Sequence, residues 1–105
     1  MSHTILLLQP DQDAKSRTYC DFESINDCLE GVCSIYEEHL KKCNPGKRTI
    51  TYDDEQLFEY MDQFTDFACL VYQPDLGTYM PRTKKWIKQE VFNMLVNVAK
   101  RQKRR

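Results

Sequence analysis

The stretch from Ser2 to Asp11, "SHTILLLQPD", decides the fold. Successive side chains of a β-strand point to opposite faces, so the four apolar residues Ile5, Leu6, Leu7 and Leu8 cannot share one side. A strand built from them is apolar on both faces, and both faces need cover. Thr4, Leu6 and Leu8 form one set; His3, Ile5, Leu7 and Gln9 form the other. The second set has an apolar centre between two polar ends, the pattern of an interface core with a polar rim.

Working outward, Pro10 and "DQDAKS" end this strand and lead into a second one, Arg17 to Phe22, with Thr18, Cys20 and Phe22 on one face. Helical spacing follows: Ile25, Cys28, Leu29, Val32, Tyr36, Leu40 and Cys43 recur at i, i+3/i+4, with Ser24 as cap and "NPG" at 44–46 as terminator. A second helix starts at Asp53, with Gln56 at the third position of its first turn and a stripe of Leu57, Phe58, Met61 and Phe64. "FACLVYQ", Phe67 to Gln73, is again a strand apolar on both faces, and "PDLG" turns it into a short strand at "TYMP". The last helix begins near Thr83 and carries Ile87, Val91, Met94, Leu95 and Val98.

The expected order is β-β-α-α-β-β-α: an α+β domain with three helices on one face of a four-stranded antiparallel sheet. Residues 1–99 form the domain and 100–105 a basic tail. Three helices cover one sheet face only. The economical cover for the other is a second copy, sheet against sheet about a twofold axis, with His3, Ile5, Leu7 and Gln9 at the dimer interface. The alternative is a strand sealed on both faces within one chain.

Of 105 residues, 15 are Lys or Arg and 16 Asp or Glu, but the signs are segregated. Residues 1–82 carry 7 cations against 15 anions, a net −8, while residues 83–105 carry 8 cations against the single Glu90, a net +7. Lys84, Lys85, Lys88, Lys100, Arg101, Lys103, Arg104 and Arg105 therefore form a candidate RNA-contacting or nuclear-import patch. The same charges also suit a solvated helix C-terminus.

Catalytic chemistry finds little to stand on. The two histidines, His3 and His39, lie far apart in sequence without a nucleophile motif, and Gly31, Gly46 and Gly77 are isolated rather than a phosphate-binding loop. The five cysteines lack metal-ligand spacing, and Cys28 and Cys33 match neither CxxC nor a zinc motif, so reduced thiols of an intracellular protein are expected. Neither cofactor nor metal is expected. No stretch approaches the roughly 18 apolar residues of a membrane helix. Thr18 and Ser24 each precede an acidic residue by three positions, the spacing acidophilic kinases prefer, although Ser24 also has the N-cap role. Tyr36, Tyr60 and Trp86 are candidate walls of a partner groove if left exposed on the helices.

The segments "SHTILLLQP", "EGVCSIYEEHLKKCNP", "ITYDDEQLFEYMDQF", "CLVYQPDLGTYMP" and "KKWIKQEVF" resemble the enhancer of rudimentary homologue family over Ser2 to about Leu95. The resemblance implies an α+β homodimer with its two sheets packed together. It implies a small non-catalytic adaptor, largely nuclear, with a cytoplasmic or perinuclear granule pool. Such adaptors bind short linear segments of RNA-processing proteins in microRNA or piRNA biogenesis, mRNA elimination and splicing, so RNA contact would be indirect. Direct RNA binding through the basic C-terminal segment is the alternative. The resemblance also implies that Thr18 and Ser24 are kinase sites. The ending "KRQKRR", the loop "DQDAKS" and the cysteines Cys20 and Cys43 depart from the family pattern and point to a diverged paralogue with a narrower set of partners.

Overall fold

Each α-helix starts where the sequence supplies a start signal. Ser24 Oγ accepts a hydrogen bond from the Asp27 amide at 3.1 Å and opens α1 (Ile25–Cys43). Asp53 and Gln56 bond reciprocally, each side chain to the other's backbone N–H at 2.9 Å, and this capping box opens α2 (Asp54–Asp62). Thr83 Oγ1 accepts from the Trp86 amide at 3.2 Å ahead of α3 (Lys84–Lys103). The strands are β1 (Thr4–Gln9), β2 (Thr18–Phe22), β3 (Asp66–Gln73) and β4 (Thr78–Arg82), with one 3-10 turn at Ala14–Ser16. This computed structural model describes residues 2–49 and 51–103, with side chains through residue 99.

The sheet is antiparallel throughout, in the order β2-β1-β3-β4. The two strands that read as apolar on both faces, β1 and β3, are therefore the two central ones. Leu6 lies opposite Cys20 on one side and Cys69 on the other; Ile5 lies opposite Asp21 and Leu70. Pro81, which has no N–H to give a ladder, stands on the edge strand β4.

One face of the sheet carries the whole core. Leu6, Leu8, Phe67, Cys69 and Val71 meet Cys28, Leu29, Val32, Cys33 and Tyr36 of α1, Leu57 and Met61 of α2, and Ile87 and Val91 of α3. The Cα extents, 44 × 43 × 20 Å, are those of two layers, a sheet and its helices. The fold class read from the sequence is the fold observed, with all three helices on one face of an open sheet.

Two expectations about the core change, at Cys43 and Val98. Cys43 is exposed, at the last position of α1. Val98 is 45% exposed and Phe92 42%, because α3, about 30 Å long at 1.5 Å per residue, outruns the surface beneath it. The helix also continues to Lys103 with no break at residue 99.

Gly31 in α1 serves a packing role. A Cβ built there would lie 2.6 Å from two ring carbons of Phe22 on β2, so the absence of a side chain lets the helix approach the edge strand. In a free helix, Gly→Ala stabilises by about 1 kcal/mol. Here Gly31→Ala should instead destabilise by about 1–3 kcal/mol through overpacking, and adding Phe22→Leu should restore the loss, both read from urea unfolding midpoints.

Candidate functional site

The open sheet face is the first candidate. Ile5 and Leu7 of β1 stand beside Leu70 and Ala68 of β3, flanked by Tyr19 and Asp21 of β2 and by Tyr79 and Pro81 of β4. None of these residues belongs to the core cluster. Tyr19 is 71% exposed, so a large aromatic stands clear at the edge. A polar group closes one end: His3 Nδ1 lies 2.9 Å from the Tyr79 hydroxyl, and its Nε2 lies 3.8 Å from Asp21 Oδ2. Tyr79 also packs edge-on against Tyr72 at 5.2 Å.

His3, Ile5 and Leu7 lie on this face, as their parity requires. Gln9 differs. It is only 7% exposed within the single chain, because the loop after β1 folds against it. Its Nε2 donates to the Asp11 carbonyl at 2.9 Å, and Arg17 Nε donates to its Oε1 at 2.9 Å. Gln9 is thus spent on local structure rather than free for a rim.

Two clefts on the helix side are lined by apolar and aromatic residues. The larger, about 480 Å³, runs between the first turns of α1 and the middle of α3. Ile25, Leu29, Met94 and Val98 give it apolar walls, and Glu30 and Glu90 place two carboxylates on its edges, with no cation lining it among the described residues. The smaller, about 190 Å³, lies at the α1–α2 seam between Tyr36, His39, Tyr60 and Glu59. Tyr36 and Tyr60 do come together there, with ring centroids 4.9 Å apart, but Tyr36 is 7% exposed and belongs to the core. Trp86 does not join them; it sits under the Arg82 guanidinium at 5.4 Å. The α1–α3 cleft escaped the sequence reading because its apolar residues continue the same stripes that fill the core.

Of the basic residues singled out in sequence, Lys84 and Lys88 both reach Asp62, at 3.4 and 2.7 Å, and pin α3 to α2. The two lysines hold the Asp62 carboxyl below its ordinary range, chiefly through the Lys88 hydrogen bond. That contribution to stability is present above the unfolded carboxylate's pKa and fades as pH falls through the lowered value. Lys85 is exposed. Lys100, Arg101, Lys103, Arg104 and Arg105 lie outside the residues whose side chains are described. Thr18 is exposed at the start of the edge strand, and Ser24 caps α1.

The thiols divide sharply. Burial pushes Cys28 up to about 12 and Cys69 up to about 11, and it raises Cys33 as well. Cys20 and Cys43 are exposed, with Cys43 Sγ 3.6 Å from His39 Nε2. Among the described residues no group of three or more His, Cys, Asp or Glu is placed to hold a metal ion, and no helix is long and apolar enough to cross a membrane.

These features define an α+β domain with a helix-covered face, an open apolar face and surface clefts. The chain belongs to the enhancer of rudimentary family, whose model matches residues 1–101. It is 56% identical over 99 residues to the protein enhancer of rudimentary of Drosophila virilis, covering 94% of this chain and 95% of that one. Enhancer of rudimentary homologues of Dictyostelium discoideum (46% over 99 residues, 94% and 99% covered) and Caenorhabditis elegans (44% over 97 residues, 92% and 94% covered) are similar along the same span.

Because only the thiolate attacks, and only where reagent can reach it, two of the five thiols should react with an aromatic disulfide reagent at about pH 8 in the native protein. All five should react in denaturant. Fast native labelling of a third would contradict the burial of Cys28, Cys33 and Cys69.

Proposed function

We propose that the chain is a non-catalytic homodimeric adaptor that binds short linear segments of RNA-processing proteins and bridges two of them. One observation carries this reading: the two central strands leave an apolar face that the chain's own helices do not cover. An exposed patch of this kind is a partner site, and a twofold copy satisfies it with the same residues on both sides. Ile5 and Leu7 would each gain about 1.5–3 kcal/mol by burial, and symmetry counts each twice. The His3–Tyr79–Asp21 group would sit at the rim, where its hydrogen bonds need not be broken.

The α1–α3 cleft is the candidate seat for the linear segment. Its apolar walls and the two carboxylates at Glu30 and Glu90 fit a short segment with aliphatic anchors and at least one cation. A dimer carries two such clefts, so a segment tethered at one raises the effective concentration of its neighbour at the other. The adaptor's place is the nucleus, with a granule pool in the cytoplasm, and the processes served are small-RNA biogenesis, mRNA elimination or splicing. The support is family membership and the basic C-terminal residues.

The rival reading, direct RNA binding through the basic C-terminal segment, is weakened where it can be examined. Two of its lysines already neutralise Asp62. Under the adaptor reading, removing residues 102–105 leaves segment binding intact.

Two copies of one bound segment, labelled as energy-transfer donor and acceptor, provide the test. The segment is selected from overlapping 20-residue peptides of RNA-processing proteins. The wild-type chain should bring the labels together, whereas Leu7→Arg should bind the segment without transfer. Glu90→Lys should weaken binding about tenfold, about 1.4 kcal/mol, by reversing one rim charge. Undiminished transfer with Leu7→Arg, or binding indifferent to Glu90→Lys, would defeat the proposal.

A further inference from the structure

Four of the seven cations among residues 1–82 fall within eight positions, at Lys41, Lys42, Lys47 and Arg48. The first two suit the C-terminal carbonyls of α1. The other two lie beyond the helix and cap nothing. The chain brings them back deliberately: Asn44 Nδ2 donates to the Leu40 carbonyl at 2.9 Å, Gly46 takes a left-handed φ of 89°, and the Lys47 amide bonds to the Asn44 carbonyl. The result is a cleft of about 310 Å³ lined by Glu37, Lys41, Lys47, Arg48 and Tyr52.

Three cations thus converge on one concave spot of an otherwise acidic body. None of them lies within ion-pair distance of a carboxylate among the described residues. The single carboxylate in the cleft, Glu37, already accepts the Tyr52 hydroxyl at 2.7 Å. Tyr52 is fixed in turn by edge-on packing on Tyr36 at 4.9 Å, so this wall is rigid. All three cations are exposed, so each can take an anion from solution without first giving up an ion pair of its own.

We propose that the α1–α2 corner is a binding site for the phosphate monoester of a phosphorylated peptide. Lys41, Lys47 and Arg48 less Glu37 leave a charge of +2, which matches the −1.5 to −2 of a phosphoserine or phosphothreonine near neutral pH. A carboxylate side chain brings half that. A polynucleotide wants a track of cations with stacking aromatics, and the net −8 of the body repels it at longer range. Arg48 supplies the planar fork that takes two phosphate oxygens, and the lysines act as point charges. Glu37, Lys41, Lys47, Arg48 and Tyr52 are the groups facing the ligand. Binding weakens as pH falls through about 6, where the monoester takes its second proton.

The site is independent of the dimer and can be tested on the full chain by itself. The probe is a five-residue Gly/Ser peptide carrying one phosphoserine, titrated into isotope-labelled protein while backbone amide resonances are followed. Saturable shifts should centre on Lys41, Lys47 and Arg48. Affinity should fall about tenfold in Lys47→Gln or Arg48→Gln, and by up to about fourfold between about pH 7.5 and pH 5.5 as the dianion is lost, but should not change in Lys15→Gln, a cation elsewhere on the body. Lys47 and Arg48 are exposed, so the variants should keep the wild-type spectrum outside the corner. Shifts of equal size with the unphosphorylated or glutamate-substituted peptide would overturn the proposal. So would no saturable shift, or tighter binding of an oligouridylate at the same amides.

Discussion

The structure turns on β1, a six-residue strand that is apolar on both faces. Leu6 and Leu8 point toward the helices and are 0% and 6% exposed; Ile5 and Leu7 point away and meet only the neighbouring strands. Because β1 and β3 pair with each other at the sheet's centre, the apolar residues of both outward faces form one patch rather than two stripes. Polar residues at these positions would have given an ordinary solvated antiparallel face. Their apolar character therefore says more about assembly than about folding.

How much of this was legible follows from where the controlling interactions lie. Strand parity, helix caps and the glycine turn are local, so β1, the cap of α1 at Ser24, the capping box at Asp53 and the helix-side core could be read directly from spacing. The strand order is not local. Nothing in the sequence says that β1 should lie between β2 and β3, although two strands apolar on both faces belong at a sheet's centre. Parity assigns Gln9 to the open face, but spacing alone does not show that Arg17 and Asp11, across the loop, also claim its side chain. Lys84 and Lys88 looked like free charge for the same reason, since their partner Asp62 lies on a different helix.

The surfaces divide the work by chemistry. The open sheet face is apolar and edged by tyrosines, suited to a second copy. The α1–α3 cleft is apolar with an acidic edge, and the α1–α2 corner is cationic, so the two clefts differ in chemical character. Of the aromatic residues considered for a groove, Tyr36 works from inside: it packs on Tyr52 and Tyr60 and so braces the walls of both α1–α2 clefts. The buried thiols Cys28, Cys33 and Cys69 behave as small apolar side chains, with deprotonation pushed out of reach by burial.

The central claim is that the open face of β1 and β3 is closed by a second chain. The solution mass of the unmodified protein tests it most directly, measured by light scattering across a dilution series at physiological salt. The account requires twice the 12.5 kDa of one chain, persisting into the low micromolar range. A mass of one chain at every concentration would mean that the apolar face stands open to water, and the account would be wrong at its root.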